Sequence, residues 1–383
     1  MLPRPIEMIA QLVEKPSVSA ALPELDQSNR QVVELLAGWL EPLGFAIHIQ
    51  PLPDNPEKAN LIATLGAGEG GLVIAGHTDT VPCNEHLWAS DPFTLTERNG
   101  ALYGLGTTDM KGFLALVVEA ARDFRANTLT RPLTFLATAD EETTMAGARA
   151  LHAEGLPAPR HAVIGEPTSM RPVQVHKGML MEAIRLTGRS GHSSDPDMGI
   201  NALDGMYRVL AALMAWRETL AEQHKDPRFK VPVPTLNLGH IHGGDSPNRI
   251  CGACELHVDL RILPSMSLSS LRDELHERVT KAILGSGLEV NFEALFDGIP
   301  ALETGDQAEI LKAACALTGA SPGAVTFGTE GPYLTALGME TVILGPGDLA
   351  VAHQPDECLS IDRIDPTVML LRDLIQRFCA NPD

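Results

Sequence analysis

The chain has 383 residues, is 44% hydrophobic and 20% charged, and carries a formal net charge of −20. That length exceeds one ordinary core and predicts two domains, or one domain carrying a large insertion. The acidic balance argues against nucleic acid or an anionic membrane as a partner. It does not select a substrate, because a cationic pocket can sit within an acidic surface.

The opening MLPRPIEMIAQLVEKP lacks the apolar centre and small-residue cleavage site of a signal peptide. Ile6, Ile9 and Val13 form one helix face, closed by Pro16; Val33, Leu36 and Leu40 form a second, ending at Gly44. Strands are expected at Phe45–Ile49, Asn60–Leu65, Leu72–Gly76, Leu133–Ala139 and Ala162–Gly165. A helix between the third and fourth carries Phe113, Leu116, Val117, Ala120 and Phe124 on one stripe. It is short and interrupted by Glu119, so no membrane span is expected. Apolar strands alternating with helices predict an α/β layer with a mostly parallel sheet flanked by helices.

From Met179 the order changes. A strand at Met179–Leu186, a helix at Asn201–Glu222, strands at Thr235–His242 and Ile250–Leu263, a helix at Ser267–Leu284 and a strand at Leu288–Leu295 read as β-α-β-β-α-β. That is a ferredoxin-like α+β unit able to close its own core. Met179, Met181, Met206 and Met214 are expected in that core. A strand at Thr341–Leu344 and a helix bearing Ile364, Val368, Leu371, Ile375 and Phe378 then resume the first pattern. The expected organisation is a discontinuous catalytic domain, 1–178 plus 296–383, interrupted by a lid and dimerisation domain at 179–295.

Five segments place His, Asp or Glu just beyond an expected strand: Gly76–Asp79, Thr108–Gly112, Asp140–Glu142, Gly165–Thr168 and Ala352–Pro355. Ligands of open α/β sheets bind at the carboxyl ends of strands, so the five can converge on one crevice. Two imidazoles among several carboxylates suit zinc or cobalt better than magnesium. Singly, each has an ordinary reading; Asp109, for instance, could cap the following helix. Cys251-Gly-Ala-Cys254 has CxxC spacing but starts a strand and has no second pair, so neither redox nor zinc chemistry is expected there. Six cysteines in so long a chain do not read as a disulfide framework, and a reducing cytoplasm is the expected location.

The strings GHTDTVP (76–82), GLGTTDMKG (104–112), ATADEE (137–142), GEPT (165–168), SGHSS (190–194) and AHQPDE (352–357) resemble the two-metal aminoacylase and carboxypeptidase-type metallopeptidases. This family includes acetylornithine deacetylase and succinyl-diaminopimelate desuccinylase. TLNLGHIHGGD (235–245), NRIC (248–251) and LGPG (344–347) resemble its acetylornithine deacetylase branch. The resemblance implies two divalent ions, Zn2+ or Co2+, one held by His77 and Glu166 and the other by Glu142 and His353, with Asp109 bridging. It implies Glu141 as general base, Asp79 orienting His77, His192 donating to the oxyanion from the partner subunit of a homodimer paired through the lid, and a cis peptide between Asp109 and Met110.

Alternation along Ile250–Leu263 sets Arg261 on a face away from the lid core, and by similarity Asn248 and Arg261 are candidates for the substrate α-carboxylate. Thr329 and Glu330, in a Gly-flanked turn, are candidates for the carboxylate and for a substrate ammonium. The expected reaction is hydrolysis of the N-acyl amide of an acylated amino acid, N2-acetyl-L-ornithine foremost. Desuccinylase or dipeptidase activity, and a catalytically silent amino-acid-binding homologue, stand as alternatives.

Overall fold

The computed structural model describes residues 2–151 and 159–380. In chain order its elements begin with α1 (Pro5–Val13), α2 (Arg30–Leu40), β1 (Ala46–Pro51), β2 (Ala59–Leu65) and β3 (Leu72–His77). There follow β4 (Thr96–Arg98), β5 (Ala101–Tyr103), α3 (Lys111–Ala121), β6 (Leu133–Thr138), α4 (Ala146–Arg149), β7 (His161–Ile164) and β8 (Val173–His176). Next come β9 (Gly178–Thr187), α5 (Ala202–Gln223), β10 (Thr235–Gly243), β11 (Ala253–Ile262), α6 (Leu268–Ala282), β12 (Glu289–Ile299) and β13 (Leu302–Glu303). The chain ends with α7 (Glu309–Thr318), β14 (Gly323–Val325), α8 (Gly331–Ala336), β15 (Glu340–Ile343), β16 (Cys358–Ser360) and α9 (Ile364–Ile375).

Two compact units result: Met1–Gln174 with Thr304–Gly323 and Thr329–Asp383, and Val175–Glu303 with Ala324–Gly328. In the first, the sheet runs β1-β2-β6-β3-β7-β15. β6, β3, β7 and β15 are parallel, whereas β1 and β2 form an antiparallel edge. The sheet is buried on both faces because alternate residues of the same strand enter different cores. Leu72 and Ile74 of β3 pack with α1, α2, α3 and α9, while Val73 and Ala75 pack with Leu334 and Met339 on the other side. This two-sided burial produces the uninterrupted apolar strands seen in the sequence. α3 lies in the middle of the larger core and is buried at every position except Glu119. A Cβ at Gly112 would overlap the Thr107 carbonyl, so only glycine lets the start of α3 sit so close to the preceding loop.

In the second unit the antiparallel order β10-β11-β9-β12 with α5 and α6 is the ferredoxin-like arrangement. Leu256, Val258, Leu260 and Ile262 of β11 face Met206, Val209, Leu213 and Trp216 of α5, with Leu275 and Val279 of α6. Of the four methionines expected in this core only Met206 joins it; Met179 and Met181 are half-buried on the alternate face of β9, and Met214 is 46% exposed on the outer face of α5. A third small sheet, β16-β5-β4, is absent from the sequence reading, and β12 runs past 295 to Ile299. Among the described residues no helix is long and apolar enough to cross a membrane.

Candidate metal centre

Sheet register brings the first unit's candidates to one rim. His77, the last residue of β3, pairs with Thr138, the last of β6, and Ala75 pairs with Ile164 at the end of β7. Glu141–Glu142 therefore leave β6, and Glu166 leaves β7, beside the imidazole of His77. Asp109 arrives from the loop before α3 and His353 from the loop after β15. α3 begins at Lys111 with no side-chain cap, so the Asp109 carboxylate is not engaged as a helix cap.

Asp109 divides its oxygens between two imidazoles. Oδ1 lies 3.1 Å from His77 Nε2, and Oδ2 lies 3.2 Å from His353 Nε2. His353 Nε2 also lies 3.1 Å from Glu142 Oε1. Donor atoms of His77, Asp109 and Glu142 fall within 4.8 Å of one another, as do those of His77, Glu141 and Glu166. The peptide between Asp109 and Met110 is cis.

The electrostatics favour cations. Burial, then repulsion from Asp109, pushes the Glu166 carboxyl well above its usual range, and its Oε1 has no hydrogen-bond partner among the described residues. Burial, then Glu166, does the same to Glu141. Burial opposes a charge on His77, but the bond to Asp109 and the surrounding carboxylates carry its pKa well above normal. Hydrogen bonds to Asp109 and Glu142 push His353 up to about 10. Burial alone would raise Asp109, yet the bonds from His353 and His77 hold it well below the usual carboxylate value. Divalent ions offset the same repulsion while using the orphaned Glu166 oxygen, so the donor set fits them.

The Asp79 carboxylate does something other than expected. His77 Nδ1 meets the main-chain carbonyl of Asp79 at 3.0 Å, with the Asp79 Oδ1 at 3.8 Å. The carboxylate instead accepts from the backbone N–H groups of Glu141 at 3.2 Å and Glu142 at 3.0 Å. Asp79 thus orients His77 through its backbone and the carboxylate pair through its side chain. Burial pushes it up to about 6, against the opposing pull of His77. Glu357, quoted in the AHQPDE string without a role, accepts from the N–H groups of Thr108 at 2.8 Å and Asp109 at 3.0 Å. A buried carboxylate thus pins the loop that presents Asp109.

Thr329 and Glu330 are enclosed, 0% and 1% exposed, so a substrate reaches neither without local opening. Glu330 Oε2 accepts from Thr138 Oγ1 at 2.6 Å, its Oε1 has no hydrogen-bond partner among the described residues, and burial pushes the group up to about 7. The turn leads into α8, whose Leu334 packs against Val73 and Ala75 of the sheet.

The second unit's candidates sit in paired loops or on a strand. The main-chain carbonyl of Asn248 accepts from Ser193 N at 3.1 Å, and His192 bridges to Arg249. His192 and Asn248 are exposed, and His192 Nδ1 meets Ser194 Oγ at 2.6 Å. Arg261 on β11 forks onto Asp259, with Nε–Oδ1 2.8 Å and Nη2–Oδ2 2.9 Å, so a substrate carboxylate would compete with Asp259. Cys251 and Cys254 are buried free thiols, and Cys251 Sγ donates to the Ala253 carbonyl at 3.0 Å.

The chain matches the pattern of "Peptidase family M20/M25/M40" over residues 73–377. It is 48% identical to an acetylornithine deacetylase of Proteus mirabilis (strain HI4320), covering 99% of this chain and 97% of the relative. It is 47% identical to one of Pasteurella multocida (strain Pm70), covering 99% of each. Among solved structures it shares the fold of aminopeptidase PepT from Bacillus cereus ATCC 10987, at TM-score 0.76, 18% identity and 98% coverage of both chains. It also resembles the Bacillus subtilis YXEP protein, described as a dinuclear metal-binding peptidase, at TM-score 0.68 and 18% identity over 97% of this chain and 96% of that one. Matched along most of its length, this chain belongs to Peptidase family M20/M25/M40.

Proposed function

We propose that the chain is a metal-dependent amidohydrolase that converts N2-acetyl-L-ornithine to L-ornithine and acetate, a step of arginine biosynthesis. The observation that carries the chemistry is the Asp109 carboxylate, with one oxygen on His77 and the other on His353. A carboxylate placed between the two imidazoles would be able to serve both ions at once. The near-full-length likeness to acetylornithine deacetylases supports the substrate.

His77 and Glu166 would hold one Zn2+ or Co2+, Glu142 and His353 the other, with Asp109 shared; Asp79 orients the residues around them. The ions would polarise the scissile carbonyl and acidify water at neutral pH. Glu141, grouped with His77 and Glu166, takes a proton from the attacking water. The water oxygen bonds to the carbonyl carbon, the C–N bond breaks, and Glu141 returns the proton to the departing amine. His192 of the partner subunit donates to the carbonyl oxygen as charge develops there. Asn248 and Arg261 receive the α-carboxylate, and Thr329 is a further contact for it. Once local opening admits the substrate, the Oε1 of Glu330, without a hydrogen-bond partner among the described residues, is the acceptor for the δ-ammonium.

A homodimer would form through the lid, 179–295. In support, β10 is a sheet edge bearing Ile241 at 49% exposure, and α5 presents Leu203, Tyr207 and Met214 on its outer face. The cysteines, none in a disulfide, suit a cytoplasmic location.

Chelation followed by Zn2+ or Co2+ add-back should abolish and restore turnover. Comparing kcat/KM on N-acetylornithine, succinyl-diaminopimelate and dipeptides should rank N-acetylornithine first. Full turnover by stringently metal-free protein would end the metal reading, and a higher value on another substrate would transfer the assignment within the family.

A further inference from the structure

We propose that Lys58 is a positioning residue for the reaction, acting through Asp140 to fix the turn that carries Glu141 and Glu142. The inference rests on the roles assigned above to those two carboxylates. Lys58 immediately precedes β2, is 3% exposed, and touches none of the metal-binding side chains by hydrogen bond or ion pair among those described. Its Nζ lies 2.5 Å from Asp140 Oδ1 and 2.6 Å from Asp26 Oδ1. A buried ammonium keeps its charge only when paired in this way.

Asp140 stands directly before the two functional carboxylates. Its φ of 56° places it in the left-handed region, where a non-glycine residue stays only if its surroundings hold it. They hold it at both ends. The side chain accepts from Lys58 and from Ser19 Oγ at 2.8 Å, and the carbonyl accepts from Thr144 N at 3.1 Å and Met145 N at 2.7 Å. Ser19 Oγ also contacts Thr143 Oγ1 at 2.6 Å, closing the turn from behind. On the opposite side Asp79 receives the N–H groups of Glu141 and Glu142. The dipeptide is thus clamped from two sides, and Lys58 is the anchor of the rear clamp on the rigid sheet. Without the ammonium, Asp140 becomes a buried carboxylate satisfied by one hydroxyl. The turn then relaxes towards an ordinary backbone conformation and carries Glu141 and Glu142 with it.

The test uses full-length, metal-loaded enzyme and whichever acyl-amino acid the wild type turns over best. Lys58→Met should lower kcat about tenfold, the low end of the range for groups bonded directly to metal ligands because Lys58 acts one step further out, with KM within about twofold. Co2+ affinity, read from the visible absorption during titration, should weaken, and Lys58→Arg should recover most of both losses. Asp140→Asn should lower kcat similarly, and the double variant should be no worse than either single one. If Lys58→Met fails to fold, the double variant, which removes both buried charges, supplies the measurement. A folded Lys58→Met or double variant with wild-type kcat and Co2+ affinity overturns the proposal, as do additive losses. Failure of the broader reading would appear differently, as wild-type turnover that survives chelation.

Discussion

The two units hold their candidate residues in opposite ways. In the first, the groups lie at strand ends against a two-sided sheet, mostly enclosed and so crowded that burial and neighbouring carboxylates push Glu141 and Glu166 well above the usual range. In the second, His192 and Asn248 are exposed in loops and Arg261 is already paired with Asp259. Enclosure suits reaction chemistry, where each hydrogen bond acts in a low dielectric and geometry is fixed in advance. Exposure suits residues that engage a molecule arriving later. The contrast predicts large kinetic losses from the first group and progressively smaller effects elsewhere.

The largest effect should come from Glu141→Gln, which keeps the shape but removes the base. Its kcat should fall by about 10²–10⁴ with two metals still bound by elemental analysis. Wild-type kcat in a fully loaded variant would remove Glu141 from the mechanism. His192→Ala should follow, with a loss of about 10²–10³ in kcat typical of a missing oxyanion donor. Mixing it with inactive Glu141→Gln should restore part of the turnover if His192 acts across subunits; no recovery in confirmed mixed dimers would place it in cis.

Glu330→Ala should reduce the preference for basic over neutral acyl-amino acids by about tenfold, the scale of one charge-assisted hydrogen bond. An unchanged preference would leave Glu330 a purely structural neighbour of Thr138.

A stability experiment sharpens the comparison from the second unit. Burial pushes His176 down to about 4 from an ordinary 6.5. Above pH 6.5 it is neutral whether folded or unfolded; between 6.5 and 4 only the unfolded chain takes up the proton. Its contribution is therefore complete above 6.5 and falls by about 3 kcal/mol as pH drops to 4. Denaturant titrations at both pH values should show that slope, and His176→Gln should flatten it. The smallest effect belongs to the exposed Arg249–Asp245 pair, where Asp245→Asn should change stability by under about 1 kcal/mol.

Legibility followed physical cause. β3, β6 and β7 were readable because two-faced burial writes unbroken apolar runs, and the site followed from the residues just past them. The β-α-β-β-α-β order was readable from the change of period at 179. The β4–β5 hairpin left one mark, Asn99-Gly100, whose φ values of 53° and 75° suit a tight turn. Its three-residue strands are too short to display a period. Burial of Thr329 and Glu330 depends on packing between distant segments, which local composition does not encode. The duties of Asp79 and Glu357 likewise lie in backbone N–H groups, and no side-chain pattern advertises which carboxylate will receive them.

The proposed donors lie on both sides of the inserted unit in sequence, His77 to Glu166 before it and His353 after it. A polypeptide that stops anywhere between them can possess the strands but not the full ligand set. On the ligand roles proposed above, the set around the second ion closes only once His353 has been made.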